Sequence, residues 1–291
     1  MTGVRPDPDG RHVWVLDRCG GIGCVGSDLS PIFKFDLEGR LVANLGAGLF
    51  AWPHGFWVDR DGNVWVTDGP TGARATEASA ADKGQQVLKL SPEGRVLMTL
   101  GRAGVSGAGP DLFTGPAGVM TGPDGAIYVL DGHGADGNNR VVKFDGNGRY
   151  LLEWGTTGPG PAAGEMGDPH GIAMDAQGRV FVADRWNLRI QIFDQTGAFL
   201  EQWTHFGPVS DLYIDAGDVL YATDTQTSAV PAWYRERRSE GWVRGIRVGD
   251  ARTGRVHAFI PSEAEFVAAD RMGNVYGAQV PGETLVKYAR R

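Results

Sequence analysis

Apolar and polar residues alternate in short runs along nearly the whole chain, and the runs recur. One unit is an acidic or small residue, a glycine, then an alternating apolar stretch closing on aspartate. It reads DGRHVWVLD to Asp17, DGNVWVTD to Asp68, DGAIYVLD to Asp131, QGRVFVAD to Asp184 and, more loosely, GDVLYATD to Asp224. A worn sixth copy, MGNVYGAQ, ends at Gln279. The turn glycines of this unit are Gly10, Gly62, Gly125, Gly178, Gly217 and Gly273, spaced 52, 63, 53, 39 and 56 residues apart. A second unit interleaves with it as FKFDLEGRLVANLG, LKLSPEGRVLMTLG, VKFDGNGRYLLEWG, QIFDQTGAFLEQW and GIRVGDARTGRVHAFI, turning at Gly39, Gly94, Gly148, Gly197 and Gly254. The chain closes on a lone strand, TLVKYAR. Period-two alternation bounded by Gly, Asp and Asn is the antiparallel hairpin signal. No stretch sustains the 3.6-residue repeat of a helix, so helices should be scarce.

Each period therefore holds four short strands. One such sheet cannot bury both faces alone, so the copies must pack side by side around an axis. The pattern predicts an all-β fold, a six-bladed β-propeller, as a single domain over residues 1–291. The last blade shows three evident strands, and ring closure by the two termini is expected to supply what is missing. Residues 69–85 depart from the repeat as a small, polar loop. Residues 225–244 depart by mixing Trp233, Tyr234 and Trp242 with Arg235, Arg237, Arg238 and Arg244. That mixture either packs its rings on the rim or binds anions and rings.

Repetition lets equivalent positions be compared. A turn of the form Phe-x-x-Pro-x-Gly stands before several first strands: FAWPHG, FTGPAG, and MGDPHG as its near copy. Across blades two to six the variable slot reads His54, Ala117, His170, Ser210, Glu265. First strands line the channel, so ligand-type side chains would face the axis from alternate blades. Two imidazoles and a carboxylate are a common set for a divalent ion with open positions. His54, His170 and Glu265 are thus the expected metal ligands, and small Ser210 is expected near substrate. Following the aspartate that ends each second strand come Arg18, His133 and Arg185. Arginine there would hold a carboxylate or oxyanion through paired N–H bonds, Arg18 foremost, with Arg185 either doing the same or pairing with an aspartate. His133 is the expected proton carrier. The repeated aspartates themselves read as turn ties.

The remaining signals narrow the chemistry. The 28 Lys and Arg against 35 Asp and Glu leave a net charge of −7, which argues against nucleic acid as a partner. No apolar run approaches the roughly 18 residues of a membrane span. The start MTGVRPDPDG has neither the basic nor the apolar part of a signal peptide. Cys19 and Cys24 are either a small loop disulfide or two free thiols. No G-x-S-x-G elbow, phosphate loop or dinucleotide fingerprint is present. DGHGADGNN offers oxygens for calcium without the EF-hand spacing.

PHGFWVDRDGNVWVTD, DGHGADGNNRVVKFD and PHGIAMDAQGRVFVADRWNLRIQIFD resemble NHL-repeat propellers, and more narrowly the peptidyl-α-hydroxyglycine α-amidating lyase branch and its bacterial relatives. The resemblance covers nearly the whole chain and implies NHL-like blades. It implies a lyase that splits a peptidyl hydroxyglycine into a peptide amide and glyoxylate at a channel metal held by three histidines. His54 and His170 match two of those ligands, and Glu265 stands at the third. Arg18 matches a catalytic arginine, His133 replaces a catalytic tyrosine, and Phe266 replaces an aspartate beside the third ligand. The expectation is a metal-dependent, lyase-like enzyme, zinc before calcium, acting as a monomer on a small-molecule or peptide substrate, in a periplasmic or secreted setting. A metal-dependent hydrolase or lactonase, and a noncatalytic binding propeller, are the competing readings.

Overall fold

The computed structural model describes residues 1–69, 82–134, 136–158, 160, 162–224, 243–280 and 284–290. The loop at 70–81 and all the aromatic residues of the 225–244 segment lie outside them. No helix forms among the described residues, and the alternating runs become short antiparallel strands. Five sheets contain four strands in sequence order, and the sixth contains three. The innermost strands are Gly3–Pro6, Pro53–Val58, Pro116–Thr121, Pro169–Met174, Val209–Ile214 and Phe266–Ala269. Each contacts the next, and the last contacts the first, so the sheets close a ring around one axis. A two-residue parallel ladder, Thr156–Thr157 with Glu165–Met166, decorates the connection between blades three and four.

Closure differs from the expectation. Gly3–Pro6 is already the inner strand of blade one, paired in register from Gly3 with Leu16 to Pro6 with Val13, so no strand is lent to blade six. The ring closes by packing and by single hydrogen bonds: the Met1 amino group donates to the Gln279 carbonyl at 3.0 Å, and Lys287 Nζ to the Leu37 carbonyl at 2.9 Å. The blade-five turn also differs, because Asp218, not Gly217, adopts the left-handed backbone (φ 58°). Aspartate tolerates that region better than most side chains, and its carboxylate receives the Ala176 N–H from the neighbouring blade at 2.8 Å.

The repeated residues explain how the blades hold together. An aspartate at the first hairpin, an aromatic on the second strand and a lysine on the third form one recurrent cluster. Trp14 Nε1 donates to Asp7 at 2.8 Å with Lys34 over its ring at 4.9 Å; Trp65 does the same to Asp59 at 3.1 Å with Lys89 at 5.1 Å. Tyr276 repeats the pattern with Asp270 and Lys287. These rings are buried between blades, and their polar tips are satisfied where they enter the core.

A buried guanidinium on the inner strand of blade one joins three blades at the axis. Arg5 NH1 donates to the Val4 carbonyl (2.8 Å), the Val267 carbonyl (3.0 Å) and Asp211 Oδ2 (3.0 Å), while NH2 reaches Asp211 Oδ1 at 3.1 Å. Asp211 also accepts the Val267 N–H at 3.0 Å. Blades one, five and six are thus tied together by one buried ion pair.

Candidate metal centre at one mouth of the axis

In blades two, three and four the turn before the inner strand is tied by the aspartate that ends the second strand. Asp68 accepts the N–H groups of Ala51 (3.0 Å), Trp52 (2.6 Å) and Gly84 (2.8 Å), and Asp184 accepts that of Gly167 (2.7 Å). This is the turn-tying role read from the repeat. It fixes the approach of both Pro-His-Gly segments to the axis. The glycine has its own reason. A Cβ on Gly55 would lie 2.4 Å from the Ala117 carbonyl oxygen, and one on Gly171 would lie 2.8 Å from Asp211 Cα. Only glycine lets the neighbouring inner strand come this close.

That close approach orients the imidazoles. His54 Nδ1 pairs with the Ala117 carbonyl at 2.8 Å, and His170 Nδ1 with the Ser210 carbonyl at 2.8 Å. A carbonyl can only accept, so both rings carry their proton on Nδ1 and present a bare Nε2 lone pair. Both Nε2 atoms are buried without a hydrogen-bond partner. The alternation of histidine with Ala117 and Ser210 around the ring now has a cause: each histidine rests on the main chain of the next blade's small residue.

The third imidazole comes from His133, on the loop after the second strand of blade three, where the His133 N–H is held by the Gly115 carbonyl at 2.8 Å. Its ring centroid lies 4.6 Å from that of His54 and 5.2 Å from that of His170, and the ligand atoms of the three lie within 4.8 Å of one another. Three converging imidazoles, two of them with Nδ1 anchored on main-chain carbonyls, fit a divalent-metal site, because such anchoring fixes tautomer and ring orientation. Burial, then His133 and Arg18, hold His54 well below the ordinary histidine value. Burial, then Arg185, does the same for His170.

Glu265, expected as the third ligand, stands beside the cluster. Its Oε1 is 3.5 Å from His170 Nε2 and 3.5 Å from Arg185 NH1. His133, expected as the proton carrier, is grouped with His54 and His170 as a third imidazole. The order of residues along the repeat concealed this, since His133 belongs to a different slot from His54 and His170. Arg185 is engaged by Asp168 through Nε at 2.7 Å and through NH2. Ser210 is fully buried and gives its main-chain carbonyl to His170. Arg18 lies with its guanidinium carbon 4.0 Å from the Trp52 ring centroid, its Nε donating to the Pro53 carbonyl at 3.3 Å. Phe266 floors the site, 5.5 Å from His54 and 5.9 Å from His170 by ring centroids.

Two residues at the site were not singled out from sequence. Trp52 stacks on His54 at 4.8 Å and meets the edge of His133 at 4.9 Å, so one ring aligns two imidazoles and Arg18. Asp168 bridges Arg185 and the His133 loop, accepting the Gly134 N–H at 2.7 Å. Both occupy the position before Pro-His-Gly, the signal that would have found them. Cys19 and Cys24 form a disulfide that closes the loop following Arg18, and the Cys24 N–H donates to the Ala51 carbonyl at 2.8 Å. In DGHGADGNN the Asp131 carboxylate is engaged by Thr114, Asn138 and Arg140.

A pH test isolates the buried imidazole. The unfolded chain protonates histidine near 6.5, while folded His170 stays neutral well below that. The unfolded state then binds more protons, so His170 costs stability as pH falls. In metal-free protein the wild type should lose ground to His170→Gln by up to about 1.4 kcal/mol per pH unit below about 6.5. Urea unfolding of both proteins at pH 7.5 and 5.5 measures it; a constant difference contradicts the neutral assignment.

Fold and site together define a six-bladed β-propeller carrying a three-histidine cluster at one axial mouth. The NHL repeat family matches residues 166–193, which include His170 and Arg185. The chain is 32% identical over 320 aligned positions to the peptidyl-glycine alpha-amidating monooxygenase B of Xenopus laevis, covering 99% of this chain and 34% of that protein. A probable peptidyl-alpha-hydroxyglycine alpha-amidating lyase of Caenorhabditis elegans is 32% identical over 158 residues, 54% of this chain and 41% of that protein. The chain thus spans about a third of the length of the Xenopus relatives it matches. Among solved structures, virginiamycin B lyase from Staphylococcus aureus superposes with a TM-score of 0.58 at 14% identity, covering 98% of this chain and 93% of that one, a likeness of fold. This chain is a six-bladed β-propeller with an NHL repeat match over residues 166–193, and it is similar to the peptidyl-α-hydroxyglycine α-amidating lyases.

Proposed function

We propose that this lyase-like propeller is a metal-dependent enzyme that cleaves a peptidyl α-hydroxyglycine to a peptide amide and glyoxylate. The observation that carries the reading is the pair of buried, unpartnered Nε2 atoms of His54 and His170, converging with His133. The lyase named among the relatives supports the reaction class. His54, His133 and His170 would hold the ion, and an all-imidazole set suits zinc better than calcium, which prefers oxygen. Bound there, the ion would supply Lewis-acid polarisation of the substrate hydroxyl.

The chain's own residues do the rest. Arg18, braced on Trp52, clamps the substrate carboxylate. Glu265, at the cluster's edge, accepts the proton of the hydroxyl. The oxygen's electron pair then forms the aldehyde C=O of glyoxylate as the C–N bond breaks. The amide nitrogen takes up the proton, so protons and charge balance. Arg185, fixed by Asp168, holds Glu265 in place. The Cys19–Cys24 disulfide, which persists in oxidising surroundings, supports a periplasmic or secreted setting.

Metal analysis of the purified protein and a glyoxylate-release assay with a peptidyl α-hydroxyglycine test the reading. Release should stop on chelation and return with zinc, while a lactone panel stays intact. Protein without a stoichiometric divalent ion and without glyoxylate release overturns it.

A further inference from the structure

The tunnel has a second mouth, and it opens into a cavity of about 670 Å³. The volume falls within the usual range of small-molecule sites, about 300–1,000 Å³. Its wall comes mainly from the outer ends of inner strands and the hairpins after them in blades one, two, five and six, and the histidine cluster takes no part in it. Phe266 and the Arg5–Asp211 pair separate the two ends. This mouth is therefore a compartment of its own.

Its hydrogen-bonding capacity is one-sided. Four carboxylates reach the wall, and each is already held by donors. Trp14 and Lys34 hold Asp7, and Asn63, Trp65 and Lys89 hold Asp59. The Gly217 and Val219 N–H groups hold Asp215, and Asn274 and Tyr276 hold Asp270. The donors are in the opposite condition. Among the described residues the Tyr213 hydroxyl makes no hydrogen bond, and Arg60, Arg271 and Arg290 form no ion pair. Arg60 and Arg271 reach only the main-chain carbonyls of Pro123 and Pro8. Between these rim cations and the floor stand two aromatic faces, Trp57 and Tyr213, each with its ring centroid 5.8 Å from the buried Arg5 guanidinium. A wall whose acceptors are engaged and whose donors are open selects an acceptor, and its aromatic faces select a flat apolar body.

We infer that the second mouth is a binding site for a small organic anion with a planar body, an aryl carboxylate in class, its ring against Trp57 and Tyr213 and its carboxylate on the Tyr213 hydroxyl and the rim arginines. The site is independent of the reaction proposed for the other mouth. Calorimetric titration with indole-3-acetate, and with neutral indole-3-acetamide as its counterpart, tests it. Saturable one-site binding should favour the acid by about ten-fold or more, as charge-assisted bonds to arginine require. The exposed double variant Arg60→Gln/Arg271→Gln should weaken the acid by a similar factor of about ten. Tyr213→Phe should weaken it less, and chelator-treated protein should bind it unchanged. Absence of saturable binding, equal affinity for the amide, an unaltered double variant, or loss of binding on chelation each overturns the inference.

Discussion

Replacing His170 by alanine is expected to abolish retention of a stoichiometric divalent ion and to lower glyoxylate release by roughly a thousand-fold or more, the several kcal/mol a Lewis-acid ion contributes to a charged transition state. His170 is 1% exposed, its Nδ1 is fixed on the Ser210 carbonyl, and its Nε2 has no other partner. Cutting it away leaves two imidazoles, with the Glu265 carboxylate the nearby group that stood 3.5 Å from its Nε2. His257→Ala, on the exposed outer strand Val256–Pro261, should retain both metal and turnover. The informative comparison is Glu265→Gln. If Glu265 moves the proton, this variant keeps its metal and loses about 10²–10⁴ in rate. If Glu265 is instead a ligand, the metal goes with the carboxylate. Metal content by mass spectrometry beside steady-state rates separates the two. Full activity in His170→Ala would remove the cluster from the chemistry altogether.

Arg5→Ala should be the most destabilising single change among the buried ion pairs, at about 3–5 kcal/mol, because it strands a buried carboxylate. Arg5 and Asp211 are 4% and 3% exposed. Removing the guanidinium leaves the Asp211 carboxylate with the Val267 N–H, among the described residues, and uncovers the Val4 and Val267 carbonyls. The double variant Arg5→Met/Asp211→Leu should recover part of the loss, since it removes both charges together, but not all, since those carbonyls remain unmet. Urea midpoints of the three variants measure this; Arg5→Ala within about 1 kcal/mol of wild type would show that water or a shifted neighbour replaces the guanidinium. The site should feel the loss as well. Val267 follows Phe266, the floor of the histidine cluster.

The fold was largely legible in the sequence, and the reason is repetition. Alternation with period two, turn glycines about fifty residues apart and a recurrent aspartate each specify local geometry, and six copies leave one way to bury their faces. The Pro-His-Gly turns were legible for the same reason: comparing slots across blades singled out His54 and His170. Closure was not legible, because whether a terminal segment pairs with its own blade or its neighbour depends on contacts between residues about 280 positions apart.

The candidate site was legible only by halves. His133 sits in a loop slot unrelated to the slot of His54, and nothing in spacing along the chain says that the two rings come within 4.6 Å. Glu265 matched the slot and still falls beside the cluster, against Arg185. Trp52 and Asp168 precede the two Pro-His-Gly turns in the same position yet do different work, one stacking and one pairing with Arg185. Nor could the sequence choose between disulfide and free thiols for Cys19 and Cys24.

What the amino-acid order determined by itself is whatever local chemistry can enforce: strand, turn, the tie from aspartate to backbone, and which blades bring a histidine to the axis. What the tertiary structure decided is convergence. Arg5 finds Asp211 across 206 residues, and His133 completes a set begun on other blades, because ring closure brings six inner strands to one axis. Distances across that axis follow from how the blades pack, and no spacing within a single blade encodes them.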